Sequence, residues 1–219
     1  MSPRLPTRKI TLCYVTDRQA LAGPADGQIQ LLLEKIEDVA QAGVDWIQIR
    51  EKDLPAGVLA SLVEHAVARV PRTCQVLVND RMDVAIAAGA GGVHLGETSL
   101  PVEEAKRLAT EKSLGADFLL GVSAHSLESA QAAEKAGASY VIFGPVYETP
   151  SKMKFGPPQG LQRLAEVCGR VAIPVIAIGG ITEGNTSQCI AAGASGIAAI
   201  RMFQEARDVA ALVRRLREP

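Results

Sequence analysis

The chain has 219 residues and a nearly balanced charge, with 23 basic and 24 acidic side chains. Its 47% apolar content is typical of a folded globular protein, and the lack of a basic run argues against a nucleic-acid partner. No apolar run reaches the roughly 18 residues of a membrane span, and the polar, proline-interrupted start does not resemble a signal peptide. Four widely spaced cysteines in apolar segments predict reduced core residues and a cytoplasmic protein.

Short apolar runs alternate with longer amphipathic stretches along the whole chain. The predicted strands cover residues 10–15, 44–49, 75–78, 92–95, 118–122, 140–143, 174–178 and 196–200. The predicted helices cover residues 29–42, 59–70, 82–88, 102–112, 127–136, 160–168, 186–192 and 206–216. Helices between consecutive strands imply a parallel sheet. Eight such units, about 27 residues each, predict an α/β fold: a single (β/α)8 TIM barrel over residues 1–219. Residues 1–9 are interpreted as a loose N-terminal extension.

Four predicted helices end in an Ala-Gly pair, at Gly43, Gly89, Gly137 and Gly193. Glycine directly after a helix is typical of a left-handed cap, because it has no Cβ to clash. The repeated pair predicts a regular barrel and says nothing about function.

Polar side chains follow most of the predicted strands, where the active sites of such barrels lie. After the second strand, Gln48, Arg50 and Lys52 alternate, so they share one face of an extended segment. Two cations and an amide on one face suit phosphate or pyrophosphate. The alternative is a solvated loop in which Arg50 pairs with Glu51.

After the third strand, Asn79 and Asp80 place an amide oxygen beside a carboxylate. These are oxygen ligands that Mg²⁺ accepts together with substrate phosphates. The alternative is local capping of the next helix by these two residues.

The loop over residues 144–159 is longer than most connections, which indicates a functional segment or a flexible surface excursion. Its Thr149, Ser151 and Lys152 are typical phosphate ligands. Gly179 and Gly180 follow the seventh strand, at a place where barrels bind phosphate on backbone N–H groups.

Two of the three histidines lie at predicted strands. His125 follows the fifth strand and is the best candidate for acid–base chemistry. His94 is equally well interpreted as a hydrogen-bonded core residue.

Together these residues resemble the thiamine phosphate synthase/TenI family over nearly the whole chain. The matching segments are residues 14–17 (YVTD), 48–52 (QIREK), 78–81 (VNDR), 92–96 (GVHLG), 121–126 (GVSAHS), 143–152 (FGPVYETPSK) and 178–181 (IGGI). The resemblance implies a transferase that joins hydroxymethylpyrimidine diphosphate to hydroxyethylthiazole phosphate. Pyrophosphate leaves, a pyrimidine carbocation forms, and the thiazole nitrogen captures it. Charge compensation by Mg²⁺ and cations then matters more than a base.

The resemblance also implies roles for individual residues. The diphosphate would contact Gln48, Arg50, Lys52 and Asn79. Asp80 would bind Mg²⁺, and Ser123 would lie near the pyrimidine and its leaving group. Thr149, Ser151 and Lys152 would hold the thiazole phosphate and pyrophosphate. The thiazole phosphate would also meet Gly179, Gly180, Ile200 and Arg201. The expected catalytic residues are Arg50, Lys52, Ser123 and Lys152, with His125 as a further candidate.

Two positions depart from the family pattern. Ser99 stands where a second acidic Mg²⁺ ligand is usual, so either nearby Glu97 substitutes or the metal site is weaker. Arg201 stands where a small serine is common; it would bind phosphate through its guanidinium. These departures keep two alternatives: a TenI-like thiazole tautomerase with His125 as acid/base, and a non-catalytic thiazole phosphate binder. A homo-oligomer also remains compatible with the sequence.

Overall fold

The computed structural model describes residues 10–96, 98–149 and 157–217, which form a closed barrel of parallel strands. The strands are β1 (Thr11–Val15), β2 (Trp46–Ile49), β3 (Gln75–Asn79), β4 (Gly92–Leu95), β5 (Leu119–Ala124), β6 (Tyr140–Phe143), β7 (Val175–Ile178) and β8 (Gly196–Ala199). They pair in sequence order, and β8 closes the barrel on β1. The predicted (β/α)8 TIM barrel is therefore confirmed.

Helices connect consecutive strands and surround the barrel. They are α1 (Gln28–Gln41), α2 (Ala56–Arg69), α3 (Met82–Ala87), α4 (Val102–Glu111), α5 (Leu127–Ala136), α6 (Gly160–Arg170), α7 (Glu183–Ala191), α8 (Arg201–Gln204) and α9 (Val209–Arg217). Two short 3-10 helices, Arg18–Ala20 and Ala25–Gly27, precede α1. None of the helices in these described ranges is long and apolar enough to cross a membrane.

Strand side chains alternate between two apolar cores. In β1, Cys13 and Val15 point into the barrel interior, whereas Leu12 and Tyr14 pack in the layer between strands and helices. This alternation follows from the two-residue period of a strand. The interior core is small. Toward the carboxyl ends of the strands, polar residues follow it.

The predicted glycine caps are confirmed by the backbone. Gly43, Gly89, Gly137 and Gly193 all have positive φ, between 65° and 99°. Each follows a helix and turns the chain into the next strand, as a left-handed cap does.

The amino ends of the strands are held by charged side chains that bind backbone groups. From α9, Arg217 reaches the carbonyl oxygens of Ile10 and Gly43, both at 2.6 Å, and the Asp45 carboxylate at 2.7 Å. Asp45 in turn accepts from the Leu12 N–H at 2.9 Å. The last helix is thereby tied to the first two strands.

Several predicted boundaries were wrong by one to three residues, among them the start of α2, which lies at Ala56 rather than 59. Three others have a local reason. β5 extends to Ala124, because its pairing with β6 continues through Ser123 to Ala124. α7 begins at Glu183 rather than 186, since the Asn185 side chain accepts from the Thr182 N–H at 2.8 Å and starts the helix before its apolar face begins. The predicted helix at 206–216 is preceded by the separate short helix α8 and starts at Val209.

Candidate active site

The segment after β2 separates its charges into two groups. Glu51 is buried and accepts from the Thr16 hydroxyl at 2.6 Å and from the Arg18 guanidinium at 3.0 Å. The expected alternative pair between Arg50 and Glu51 is therefore absent. Arg50 and Lys52 are exposed, and neither makes an ion pair with another residue in the described part of the chain. Within the described ranges, two cations without an ion-pair partner thus lie at the carboxyl end of the barrel.

Gln48 lies inside the barrel just below these cations. Its amide nitrogen donates to Asn79 Oδ1 at 3.1 Å, so these two predicted substrate-binding residues are in contact. Its Oε1 is buried and has no hydrogen-bond partner within the described ranges. Because an unpaired buried polar atom costs about 1–3 kcal/mol, this oxygen is a candidate acceptor for a ligand donor.

Asp80 follows β3 with a φ of 70°, in the left-handed region that Asp tolerates better than most residues. Its carboxylate accepts a short hydrogen bond from the Ser99 hydroxyl, and Ser99 Oγ accepts from the Gly96 N–H at 2.7 Å. The cap of α3 is Arg81, without a side-chain cap bond, so the expected capping role of Asn79 and Asp80 is wrong.

The oxygens of Asp80 and Ser99 fit a Mg²⁺ ion whose remaining ligands come from substrate and water. They belong to one carboxylate and one hydroxyl group. Among the residues described, no group of three or more His, Cys, Asp or Glu side chains is arranged so that it could hold a metal ion by itself. Mg²⁺ commonly uses one or two carboxylates and takes its other oxygens from water and substrate phosphates. Glu97, the other predicted ligand, lies outside the described residues.

His94 is a buried residue with both ring nitrogens bonded. Its Nε2 lies 2.9 Å from Ser123 Oγ, and its Nδ1 lies 3.3 Å from the Tyr140 hydroxyl. Burial, with a smaller contribution from the positive charge of Arg50, lowers the pKa of His94 to about 3. The ring is therefore neutral in the folded protein, which agrees with the hydrogen-bonded core interpretation.

His125 is held by the backbone of the next loop. Its Nδ1 lies 2.5 Å from the Gly144 carbonyl oxygen. Because a carbonyl oxygen only accepts, Nδ1 carries the proton in this contact. The bond fixes the orientation of the ring at the end of β5.

A cavity of about 780 Å³ lies beside these residues, between the loops that follow β6, β7 and β8. Its lining includes five of the residues predicted to bind the thiazole phosphate: Thr149, Gly179, Gly180, Ile200 and Arg201. Thr149 Oγ1 is buried without a hydrogen-bond partner in the described chain. Ser151 and Lys152 lie outside the described residues.

Glycine is required where the loop after β7 meets the loop after β6. Gly179 and Gly180 have φ values of 97° and 64°. A Cβ on Gly179 would lie 2.5 Å from Pro145 Cα, and one on Gly180 would lie 2.6 Å from Tyr147 Cβ. Glycine at both positions therefore lets the backbone of the loop after β7 pack directly against the loop after β6, which closes one side of the cavity.

Comparisons with known proteins agree on one family. The model of the family described as thiamine monophosphate synthase matches residues 12–203. A thiamine-phosphate synthase from Roseiflexus sp. is 40% identical over 92% of this chain and 81% of its own. One from Methanoculleus marisnigri is 43% identical over 82% of this chain and 83% of its own. The structure of thiamine phosphate pyrophosphorylase from Pyrococcus furiosus is 32% identical, with a TM-score of 0.80 over 96% of this chain and 95% of that one.

The chain belongs to the thiamine monophosphate synthase family. Membership confirms the resemblance seen in the motifs. It also confirms the predicted synthase, a transferase, since several relatives at about 40% identity carry that name.

Sequence reasoning missed the contacts of Glu51 and Tyr140, two buried residues next to the predicted site residues. Glu51 was considered only as a partner of Arg50, and its contacts with Thr16 and Arg18 lie 33 to 35 residues away in sequence. Tyr140 was seen only as a strand residue. The available signal was Gly121 on the neighbouring strand, which leaves space for a large ring.

Proposed function

We propose that this member of the family binds a pyrimidine diphosphate at the Arg50, Lys52 and Asp80 corner and a thiazole phosphate in the adjacent cavity, and joins the two. The observation that carries the proposal is the pair of cations without ion-pair partners in the described chain. A diphosphate would supply the missing negative charge.

At the diphosphate end, the residues supply charge and orientation. Departure of pyrophosphate leaves a pyrimidine cation, so the barrier depends on how well the leaving group's negative charge is stabilised. Arg50 binds two phosphate oxygens through its planar guanidinium, and Lys52 adds a point charge. Asp80 and Ser99 would hold Mg²⁺, which when bound supplies further positive charge to the departing pyrophosphate.

At the other end, the cavity positions the nucleophile. Its volume of about 780 Å³ is within the usual range for small-molecule sites. The buried Thr149 hydroxyl has no partner in the described ranges and can bond a phosphate oxygen. Arg201 offers its guanidinium from the start of α8. With its phosphate held here, the thiazole nitrogen would face the pyrimidine across the top of the barrel, and water would be excluded from the cation between them.

One observation favours a second candidate, the thiazole tautomerase. The bond from His125 Nδ1 to Gly144 orients the imidazole as a general base is usually oriented. Proton transfer by His125 would need neither Arg50 nor Lys52, so it leaves the two cations without a role. We therefore place the tautomerase second. A cytoplasmic location also belongs to this proposal, and it is supported by the four free cysteines.

The deciding experiment is turnover by the purified full chain. The protein is mixed with both substrates and Mg²⁺, and thiamine phosphate and pyrophosphate are quantified. We expect both products in equal amounts, and an Arg50→Gln variant that is much slower. The control is Arg107→Gln, which removes an exposed cation of α4 that pairs with Glu104 and Glu111. Isomerisation of a thiazole carboxylate phosphate without thiamine phosphate would instead support the tautomerase.

A further inference from the structure

Three neighbouring strands place His94, Gly121 and Tyr140 in one row across the barrel interior. His94 of β4 is in register with Gly121 of β5, and Gly121 is in register with Tyr140 of β6. A Cβ on Gly121 would lie 2.1 Å from the Tyr140 ring carbon that bears the hydroxyl. The glycine therefore leaves the space through which the Tyr140 ring reaches His94.

The row continues to the active site through Ser123. Ser123 is two residues beyond Gly121, so its side chain points to the same face of β5. The chain of contacts runs from the Tyr140 hydroxyl to His94 Nδ1, and from His94 Nε2 to Ser123 Oγ. The Tyr140 ring is itself held by Trp46, with ring centroids 4.5 Å apart.

Hydrogen-bond donors and acceptors along this row allow two arrangements. A neutral imidazole carries one N–H and one bare nitrogen. If Tyr140 donates to Nδ1, then Nε2 carries the hydrogen and donates to Ser123, whose own hydrogen is left for another acceptor. If Nδ1 carries the hydrogen, Ser123 must donate to Nε2, and the Tyr140 hydrogen has no acceptor.

Burial of Tyr140 decides between the two arrangements. Its side chain is 1% exposed, and His94 Nδ1 is its hydrogen-bond partner among the residues that the structure describes. Leaving a buried hydroxyl hydrogen unpaired costs about 1–3 kcal/mol. The first arrangement pairs the donors of the two buried residues, Tyr140 and His94, and leaves only the hydrogen of the half-buried Ser123 for another acceptor, so it is the stable one.

We propose that Tyr140 and His94 form a relay that fixes Ser123 as a hydrogen-bond donor to the diphosphate substrate. Tyr140 and His94 are positioning residues here, because they act only through Ser123. The acceptor of the Ser123 hydrogen rests on the proposed function, whereas the direction of the relay does not.

The direction of the relay is measurable without substrate. Nitrogen-15 NMR distinguishes a protonated ring nitrogen from a bare one by its chemical shift. The chain has three histidines, so removing His65 and His125 as glutamines assigns the remaining signals to His94. We expect a bare Nδ1 and a protonated Nε2. The opposite tautomer in the full chain would overturn the proposal.

The consequence for catalysis is tested by a double-mutant cycle. Tyr140→Phe removes the donor to Nδ1, and we expect kcat/KM to fall about three- to tenfold, mainly through kcat. In a Ser123→Ala background the same change should alter kcat/KM by less than about twofold, because the relay has nothing left to orient. Equal effects in both backgrounds would mean that Tyr140 acts through packing alone, and would refute the relay.

Tyr14→Phe is the matched control. It also removes a buried phenol hydroxyl, one that donates to Gln204 Oε1 at 3.0 Å in the layer outside the barrel. We expect comparable loss of thermal stability in the two variants but a change in kcat/KM only for Tyr140→Phe. Should Tyr140→Phe fail to fold, the tautomer of the unmodified chain still decides the proposal. If the unmodified chain makes no thiamine phosphate, the proposed function fails while the tautomer measurement stands by itself.

Discussion

Charged side chains at the two ends of the barrel differ in whether they form ion pairs. At the amino ends of the strands, Arg217 and Asp45 bind each other and also bind backbone groups of the first two strands. At the carboxyl ends, Arg50 and Lys52 make no ion pair within the described chain. Asp45, Arg50 and Lys52 lie in the connections next to β2, whereas Arg217 lies at the end of α9. Among the residues that the structure describes, the protein itself neutralises only the first pair.

The difference shows how charges for folding are separated from charges for binding. Glu51 makes the separation within a single segment. Its carboxylate binds Arg18 and Thr16, so Arg50 and Lys52 have no ion-pair partner among the described residues. Charges that the protein already neutralises contribute to stability and bind anions weakly. Cations without an ion-pair partner repel each other slightly, and they bind a diphosphate strongly. Variants at the carboxyl end should therefore change activity, and variants at the amino end should change stability.

The largest expected effect is that of Asp80→Asn, which removes the carboxylate and keeps a residue that tolerates a φ of 70°. We expect kcat/KM to fall by about 10²-fold or more, because the diphosphate charge loses its metal. The measurement is turnover over a Mg²⁺ titration. Asp83→Asn, at an exposed carboxylate that pairs with Arg81 at 2.5 Å, is the control and should stay near the parent. Near-parental turnover of Asp80→Asn at saturating Mg²⁺ would show that the metal assignment is wrong.

The next effect separates two candidate chemistries at the same end. For the synthase, Lys152→Ala should lower kcat/KM strongly and His125→Ala only mildly, since charge on the leaving group limits the rate. For a tautomerase, His125→Ala should remove a factor of about 10²–10⁴, and Lys152→Ala should mainly raise KM. Both variants are measured in both assays. Dominance of His125 together with an absence of thiamine phosphate would reverse our order of the two functions.

The sequence was sufficient to predict the barrel because apolar periodicity is local. Apart from α8 and the two 3-10 helices, each strand and helix is visible in a window of about ten residues, and eight successive units favour a closed barrel over an open sheet. The positions of Arg50, Asp80 and Gly180 followed for the same reason, because parallel strands bring their carboxyl ends together.

Contacts across strands could not be predicted in this way. The bond between Tyr140 and His94 joins residues 46 positions apart and depends on the registers of three strands. The pairing of Glu51 with Arg18 rather than with Arg50 likewise depends on which guanidinium the fold places beside the carboxylate. Periodicity fixes which face a residue occupies, and it leaves open which partner it meets there.

At the amino end, Arg217→Ala should reduce the free energy of unfolding by about 2 kcal/mol, because two backbone carbonyls and Asp45 lose a charged donor. Urea unfolding measures this change. Arg214→Ala on the same helix is the control, since Arg214 is exposed and makes no ion pair within the described ranges. We expect kcat/KM of both variants within about twofold of the parent. A loss of activity as large as the loss of stability would break the separation between the two ends.

The smallest expected effect is that of adding a negative charge at position 99, beside Asp80. Ser99→Asp places a second carboxylate beside Asp80, where the parent has a hydroxyl that donates to it. Without Mg²⁺ the two carboxylates repel, so the midpoint of thermal unfolding should fall slightly. With Mg²⁺ the extra ligand should lower the Kd for the metal about three- to tenfold, and linkage then raises the midpoint. The sign of the change should therefore reverse between EDTA and Mg²⁺. Ser99→Ala, which removes the hydroxyl without adding charge, should show no reversal. If Ser99→Asp binds Mg²⁺ no more tightly than the parent, Ser99 lies outside the metal site and Glu97 becomes the better candidate.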